Sequence, residues 1–225
     1  MRQCATTLES EISTAEMESL FVALEQRDLR RTHLEIGTAA GGTLCQLVSF
    51  YQRKKDFSPS FMVVDPLRYF PGQFDIVCQN LANHQIDPSA IDFVKSSSKE
   101  AFSAVGSKSL DLDFILVDGN HKIRYVTEDL RWARFLHAGG ILCAHDYTPD
   151  HPGVYLSINR FLKKNRNYNV ISQVGTLLII EKRDSTPPSV TEVSFVDRLW
   201  AMGLAPWFQL KASLDKRIKR ASRDA

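Results

Sequence analysis

His33-Leu34-Glu35-Ile36-Gly37-Thr38-Ala39-Ala40-Gly41-Gly42 is the stretch that decides the fold. A short apolar run, 33–36, enters a turn with glycine at 37, 41 and 42. Leu44, Leu47, Val48 and Tyr51 then recur at helical spacing over about 42–53. The reading is strand, turn, helix. Glycines without a Cβ let a ligand approach the backbone closely. The first amides of the helix behind the turn can meet an anionic group. The spacing is G-x-x-x-G-G, preceded by Glu35, and not the dinucleotide pattern G-x-G-x-x-G. Taken alone, the segment leaves open a plain strand–helix turn or a dinucleotide turn.

Working outward, the same alternation repeats. Apolar runs at 61–64, 91–94, 114–117 and 141–144 read as buried strands. Helical patterns fall between and after them at 74–83, 99–105, 127–136 and 153–165. The helix at 127–136 is expected to stop at Ala138-Gly139-Gly140. Upstream, Met17, Leu20, Phe21 and Leu24 mark a helix over 14–27, with Thr14 as its cap and Glu16 in its first turn. Near-continuous apolar strands alternating with helices predict an α/β fold: a Rossmann-like three-layer sandwich with helices on both faces of a mostly parallel sheet. Two last strands, 169–173 and 176–181, meet through Gly175. So short a connection joins only antiparallel neighbours, so the last strand should run against the others.

Ligands of open parallel sheets bind outside the carboxyl ends of the strands. Five ends carry polar or glycine residues here: 37–42, Asp65, 96–98, 118–121 and 145–147. Asp65 could accept two hydrogen bonds from a ribose, or cap a turn. Ser97 and Ser98 could bond an adenine edge, or cap the next helix. Asp118-x-x-His121 and His145-Asp146 bring two carboxylates and two imidazoles to neighbouring ends. Carboxylates suit a hard divalent ion. A nearby imidazole can take a proton from a hydroxyl near neutral pH.

At these residues the chain resembles class I S-adenosylmethionine (SAM)-dependent methyltransferases. Within them it is similar to the family related to macrolide-sugar O-methyltransferases and cephalosporin-hydroxylase-like proteins. The matching segments are 33–42, Val63-Val64-Asp65-Pro66, 114–121, Asp129-Leu130-Arg131-Trp132 and 139–147, within about 15–182. The resemblance implies a seven-stranded sheet with an antiparallel last strand. It implies Glu35 and Gly37 at the methionine end of the cofactor and Asp65 at the ribose; with Thr38, Gly41, Ser97, Ser98 and Asp118 they make up the expected cofactor-binding set. It also implies His121 as general base beside Asp118, and a metal on Asp118, His145 and Asp146. In the sugar enzymes the pair matching His145-Asp146 is Glu-Asp. Two aspartates and a histidine tolerate magnesium, while the softer imidazole fits manganese or iron better. Magnesium or manganese is the expected ion. Arg124, Tyr125 and Tyr147, with His151, are candidates for the acceptor pocket, and Tyr69 and Phe70 for a wall over it.

Composition bounds the rest. The 225 residues are 44% hydrophobic and 24% charged, an ordinary globular balance. A net charge of +2, with no basic patch interleaved with aromatics in the first 180 residues, argues against nucleic acid as partner. Four cysteines without metal spacing suit a reducing cytosol and no disulfides. Residues 1–16 are polar and hold no apolar h-region, so no signal peptide is expected, and no apolar run approaches the roughly 20 residues of a membrane span. The expected division is a methyltransferase domain with its N-terminal helix at 1–184, then a linker and basic tail at 185–225. Trp207, Leu210, Leu214 and Ile218 share a helical face in that tail. The tail would pack on the domain or on a second copy in a homo-oligomer. The other reading is peripheral contact with an anionic membrane at its inner face. The expected activity is O-methylation of a sugar or glycan hydroxyl. The alternatives are a phenolic small molecule as acceptor, or a non-catalytic SAM-binding scaffold.

Overall fold

A computed structural model describes residues 10–54, 56–105 and 110–188, together with Leu199, Pro206, Trp207 and Leu210. The expected tail helix therefore lies almost wholly outside the described residues. Leu199, Trp207 and Leu210 are helical and exposed. No helix among the described residues is long and apolar enough to cross a membrane.

The strands are β1 (Thr32–Ile36), β2 (Phe61–Val64), β3 (Ile91–Val94), β4 (Leu112–Val117), β5 (Leu136–Ala144), β6 (Tyr168–Val174) and β7 (Leu177–Lys182). They form one sheet in the order β3-β2-β1-β4-β5-β7-β6. All pairings are parallel except those of β7, which is antiparallel to both β5 and β6. The hairpin at Gly175 thus reverses one strand, as its length requires.

The helices are α1 (Thr14–Glu25), α2 (Gly42–Lys54), α3 (Gln73–Asn83), α4 (Ser98–Val105), α5 (Ile123–Asp129) and α6 (Pro152–Lys164). Successive strand residues point to opposite faces, and the core divides accordingly. Phe61, Val63, Phe114, Leu116, Cys143 and Ile179 pack beneath α1, α2 and α3. Leu34, Met62, Val64, Ile115, Leu142 and Ile180 pack beneath α4, α5 and α6. Burying one such aliphatic side chain is worth about 1.5–3 kcal/mol. Two apolar faces on one sheet therefore hold both helical layers.

Three local expectations are corrected. Ser13, not Thr14, caps α1, in a reciprocal capping box with Glu16. The helix expected at 127–136 is α5 followed by a 3₁₀ turn, Leu130–Phe135. Gly139 and Gly140 lie inside β5 rather than stopping a helix. A Cβ on Gly140 would come within 2.8 Å of the Asp113 carbonyl. That glycine lets β5 run close against β4, where their pairing shifts register.

Candidate active site

The register of the sheet builds the site. Ile36 pairs with Val64 on one side and Val117 on the other, and Val117 pairs with Ala144. The next residues, Gly37, Asp65, Asp118 and His145, therefore stand in one row along the carboxyl edge. Backbone bonds extend the ladder into the row: Gly37 N–H to Val64 O, Asp118 N–H to Ile36 O, and His145 N–H to Val117 O. Gly37 has φ +85°, and a Cβ there would lie 2.5 Å from the Asp118 carbonyl oxygen. Only glycine lets the first turn and the Asp118 loop come together.

The glycine turn is held from several sides. Thr38 donates its hydroxyl to Glu35 at 2.9 Å and its N–H to Asp65 at 3.0 Å. The side-chain amides of Gln73 and Asn80 on α3 donate to the carbonyls of Ala39 and Ala40, each at 2.9 Å. Sequence reading missed Gln73 and Asn80, whose only signal was polarity inside a helical apolar pattern. Burial pushes the Glu35 carboxyl up to about 8, helped by the charges of Asp118 and Asp65 and opposed by the Thr38 hydroxyl. Glu35 is thus largely neutral near pH 7.

Asp65 accepts one backbone bond on each oxygen, from Thr38 N–H and from Leu67 N–H at 2.5 Å. Each oxygen keeps a lone pair, so the residue fits a ribose. Ser97 forms a capping box with Glu100 at the start of α4. The Ser98 hydroxyl accepts from the Trp132 indole at 2.9 Å and bonds the buried Asp129. Both serine side chains therefore serve the fold of this loop. Burial lifts the Asp129 carboxyl to about 7, against the Ser98 bond.

The expected acid–imidazole cluster is assembled. His121 Nε2 lies 2.8 Å from Asp146 Oδ2, and His145 Nδ1 lies 3.0 Å from Asp118 Oδ1 and 3.7 Å from Asp146 Oδ2. Asp146 sits at φ +57°, the left-handed region that a non-glycine residue seldom adopts. Such strain persists where surrounding structure over-determines it, often at functional sites. The bond to Asp146 raises the His121 pKa, and burial only partly opposes it. Burial would lower the His145 pKa, but the bond to Asp118 and the charges of Asp146 and Glu16 outweigh it. Burial would raise the Asp146 pKa, but the three histidines around it hold it low.

Asp118, His145 and Asp146 each offer a ligand atom, all within 4.8 Å of one another. Two carboxylates and one imidazole fit a divalent ion such as magnesium or manganese. Glu16, a first-turn acid of α1, also reaches across the fold. Its Oε1 accepts from Thr176 N–H, the Thr176 hydroxyl and Leu177 N–H, and its Oε2 lies 3.9 Å from His145 Nε2. Nothing local announces a contact across 160 residues. Of the acceptor-pocket candidates, Arg124 and Tyr125, in the first turn of α5, are exposed. Tyr147 instead donates its hydroxyl to Asn159 on α6 and packs on Tyr155. Tyr69 is 70% exposed and touches Phe70 edge-on.

Residues 34–147 match a family described as a methyltransferase domain, which is half of the chain. The chain belongs to this family. It is a class I SAM-dependent methyltransferase. Solved structures share the fold. The O-methyltransferase NovP aligns at TM-score 0.65 and 14% identity, over 78% of this chain and 82% of its own. CalS11, a TDP-rhamnose 3'-O-methyltransferase of calicheamicin biosynthesis, aligns at 0.60 and 11%, over 76% and 81%. An O-methyltransferase from Bacillus cereus, in complex with SAH, aligns at 0.59 and 14%, over 79% and 86%. No curated protein matches the sequence. In this methyltransferase the glycine turn and Asp65 stand at the ends of β1 and β2, and the acid–imidazole cluster stands at the ends of β4 and β5 alongside.

Proposed function

We propose that this methyltransferase transfers the SAM methyl group to a sugar or glycan hydroxyl, with His121 as general base. The observation that carries the reading is the His121–Asp146 pair at 2.8 Å, beside Asp118 on the row that begins at Gly37. Nucleotide-sugar methylation by CalS11, on the same fold, supports the acceptor class. The SAH held by the Bacillus cereus neighbour supports the cofactor.

SAM supplies an electrophilic methyl on a sulfonium that is already a good leaving group. The chain's residues must align the acceptor oxygen and take its proton. With Nε2–H donating to Asp146, the lone pair of His121 sits on Nδ1, which accepts the hydroxyl proton. Asp146 fixes the ring and stabilises the imidazolium that results. Asp65 and the turn from Glu35 to Gly41 bind and orient the cofactor. Arg124 and Tyr125 offer a cation and an aromatic face to the acceptor. A magnesium or manganese ion held by Asp118, His145 and Asp146 would lower the pKa of the acceptor hydroxyl.

His121→Ala should lower turnover by about 10²–10⁴-fold, the usual worth of general-base catalysis. Calorimetric titration should show SAM affinity within a few-fold of the parent. A panel of nucleotide sugars and phenols assayed with both proteins tests the acceptor. Turnover confined to phenols overturns the sugar assignment. Equal activity in mutant and parent overturns the role of His121.

A further inference from the structure

By sequence His151 is a candidate only for the acceptor pocket. It is the residue just before α6, and its ring faces His121 at 4.7 Å between centroids, tilted by 30°. Its Nδ1 lies 3.0 Å from Asp146 Oδ1. The approach is off the line that a hydrogen bond needs, and this nitrogen, shielded from solvent, has no hydrogen-bond partner. Shielded polar atoms without partners are uncommon and call for an explanation. His121 meets the other oxygen of the same carboxylate. Ligand atoms of His121, Asp146 and His151 all lie within 4.8 Å of one another.

The frame that presents these side chains is tight. A Cβ on Gly153 would fall 2.1 Å from the His121 carbonyl and 2.8 Å from Ile123 N. The start of α6 is thereby pressed against the segment leading into α5, and each start brings one imidazole. The left-handed Asp146 turns one carboxylate oxygen toward a nitrogen of each ring. Both imidazoles are about 40% exposed, so an ion can enter and keep water on its remaining positions. His145 is placed differently, because its two ring nitrogens already face Asp118 and Glu16.

We propose that His121, Asp146 and His151 form a second metal site, selective for a first-row transition ion of the zinc class. Two imidazoles and one carboxylate, with open positions, match zinc, cobalt and iron and suit magnesium poorly. An imidazole that ligates through one nitrogen carries its proton on the other. An ion here therefore removes the lone pair that His121 needs as base. The site makes the enzyme inhibitable by transition ions while magnesium leaves it active. The inhibition rests on the reading of His121 above; the ion site does not.

The test is titration of the full-length, metal-stripped protein with Co²⁺, followed by visible absorption, in excess Mg²⁺. Folding of each variant is checked by melting and by SAM binding. The parent should bind one Co²⁺ with a d–d band typical of few-coordinate nitrogen ligation. His151→Gln should weaken binding at least about 10-fold, the least that disturbing a metal's support costs. Asp118→Asn should keep the band. Failure of the parent to bind Co²⁺ overturns the site. Loss of the band in Asp118→Asn, with retention in His151→Gln, also overturns it, by placing the ion on the other group. Methyl transfer is followed in the same samples. A parent that turns over without binding Co²⁺ sinks the ion site alone. A parent that binds Co²⁺ without losing turnover sinks the role of His121 alone.

Discussion

Replacing Gly37 by alanine probes the contact that joins the glycine turn to the Asp118 loop. At φ +85° the added Cβ would lie 2.5 Å from the Asp118 oxygen and 2.6 Å from Gly119 Cα. Both are backbone atoms, so no side-chain rotation relieves the clash. Left-handed backbone costs an L-residue about 1–2 kcal/mol. Forcing a methyl into a filled space adds about 1–3 kcal/mol. The sum is about 2–5 kcal/mol, and for a chain of this size each kcal/mol moves Tm by about 2–4 °C. Gly139 is the control: its φ is +82°, and a Cβ there meets nothing within 4 Å. Gly139→Ala bears the conformational cost alone. Calorimetry should place Gly37→Ala below Gly139→Ala by about 2–12 °C. The clash also pushes on Asp118 and Gly119, so SAM affinity should fall about 10-fold or more in Gly37→Ala, a change of about 1.4 kcal/mol. Gly139→Ala should bind SAM as the parent does. Equal melting shifts in the two variants would refute the close approach at Gly37.

Glu16→Gln should cost about 2 kcal/mol, because the carboxylate accepts bonds from the Thr176 and Leu177 amides that a neutral amide supports less well. Its bonds to Ser13 and Thr176, overcoming burial, hold its pKa at about 2. That contribution is present above the ordinary 4.5 and is lost as pH falls toward 2, so the parent's melting curve should drop more steeply there than the variant's. Glu35 has the opposite sign. With its pKa raised to about 8, the folded state keeps a proton that the unfolded chain releases above 4.5. The parent should therefore lose stability relative to Glu35→Gln as pH rises from 4.5 through 8, and parallel melting curves would contradict this. Ser98→Ala removes the hydroxyl that Trp132 and Asp129 share, and should cost about 1–3 kcal/mol while SAM titration stays near the parent value. Loss of SAM affinity without a melting shift would instead assign that hydroxyl to the adenine.

Sheet, layers and strand ends were legible in the chain because they rest on local pattern. Runs such as 61–64 and 114–117 must be buried on both faces, and whatever follows them must lie at the carboxyl edge. Gly37, Asp65, Asp118 and His145 could thus be placed on one edge without knowing a single distance. The short link at Gly175 likewise allowed one chain direction only. Local pattern misled at Gly139-Gly140, where Gly140 serves a close strand approach and not a helix end, because the two uses look alike in one dimension.

What only the tertiary structure decided is who meets whom across long separations. Glu16 reaches Thr176, Asn80 reaches the carbonyl of Ala40, and the starts of α5 and α6 close on each other through Gly153. Such contacts depend on helix docking angles and side-chain reach, which no residue spacing encodes. The strand–turn–helix was therefore readable from its own ten residues, while its reading as a cofactor site leaned on the other strand ends. The arrangement of imidazoles around Asp146 required the packed chain, because His121 arrives from the loop after β4 and His145 and His151 from the loop after β5, and the core beneath sets how those two loops meet.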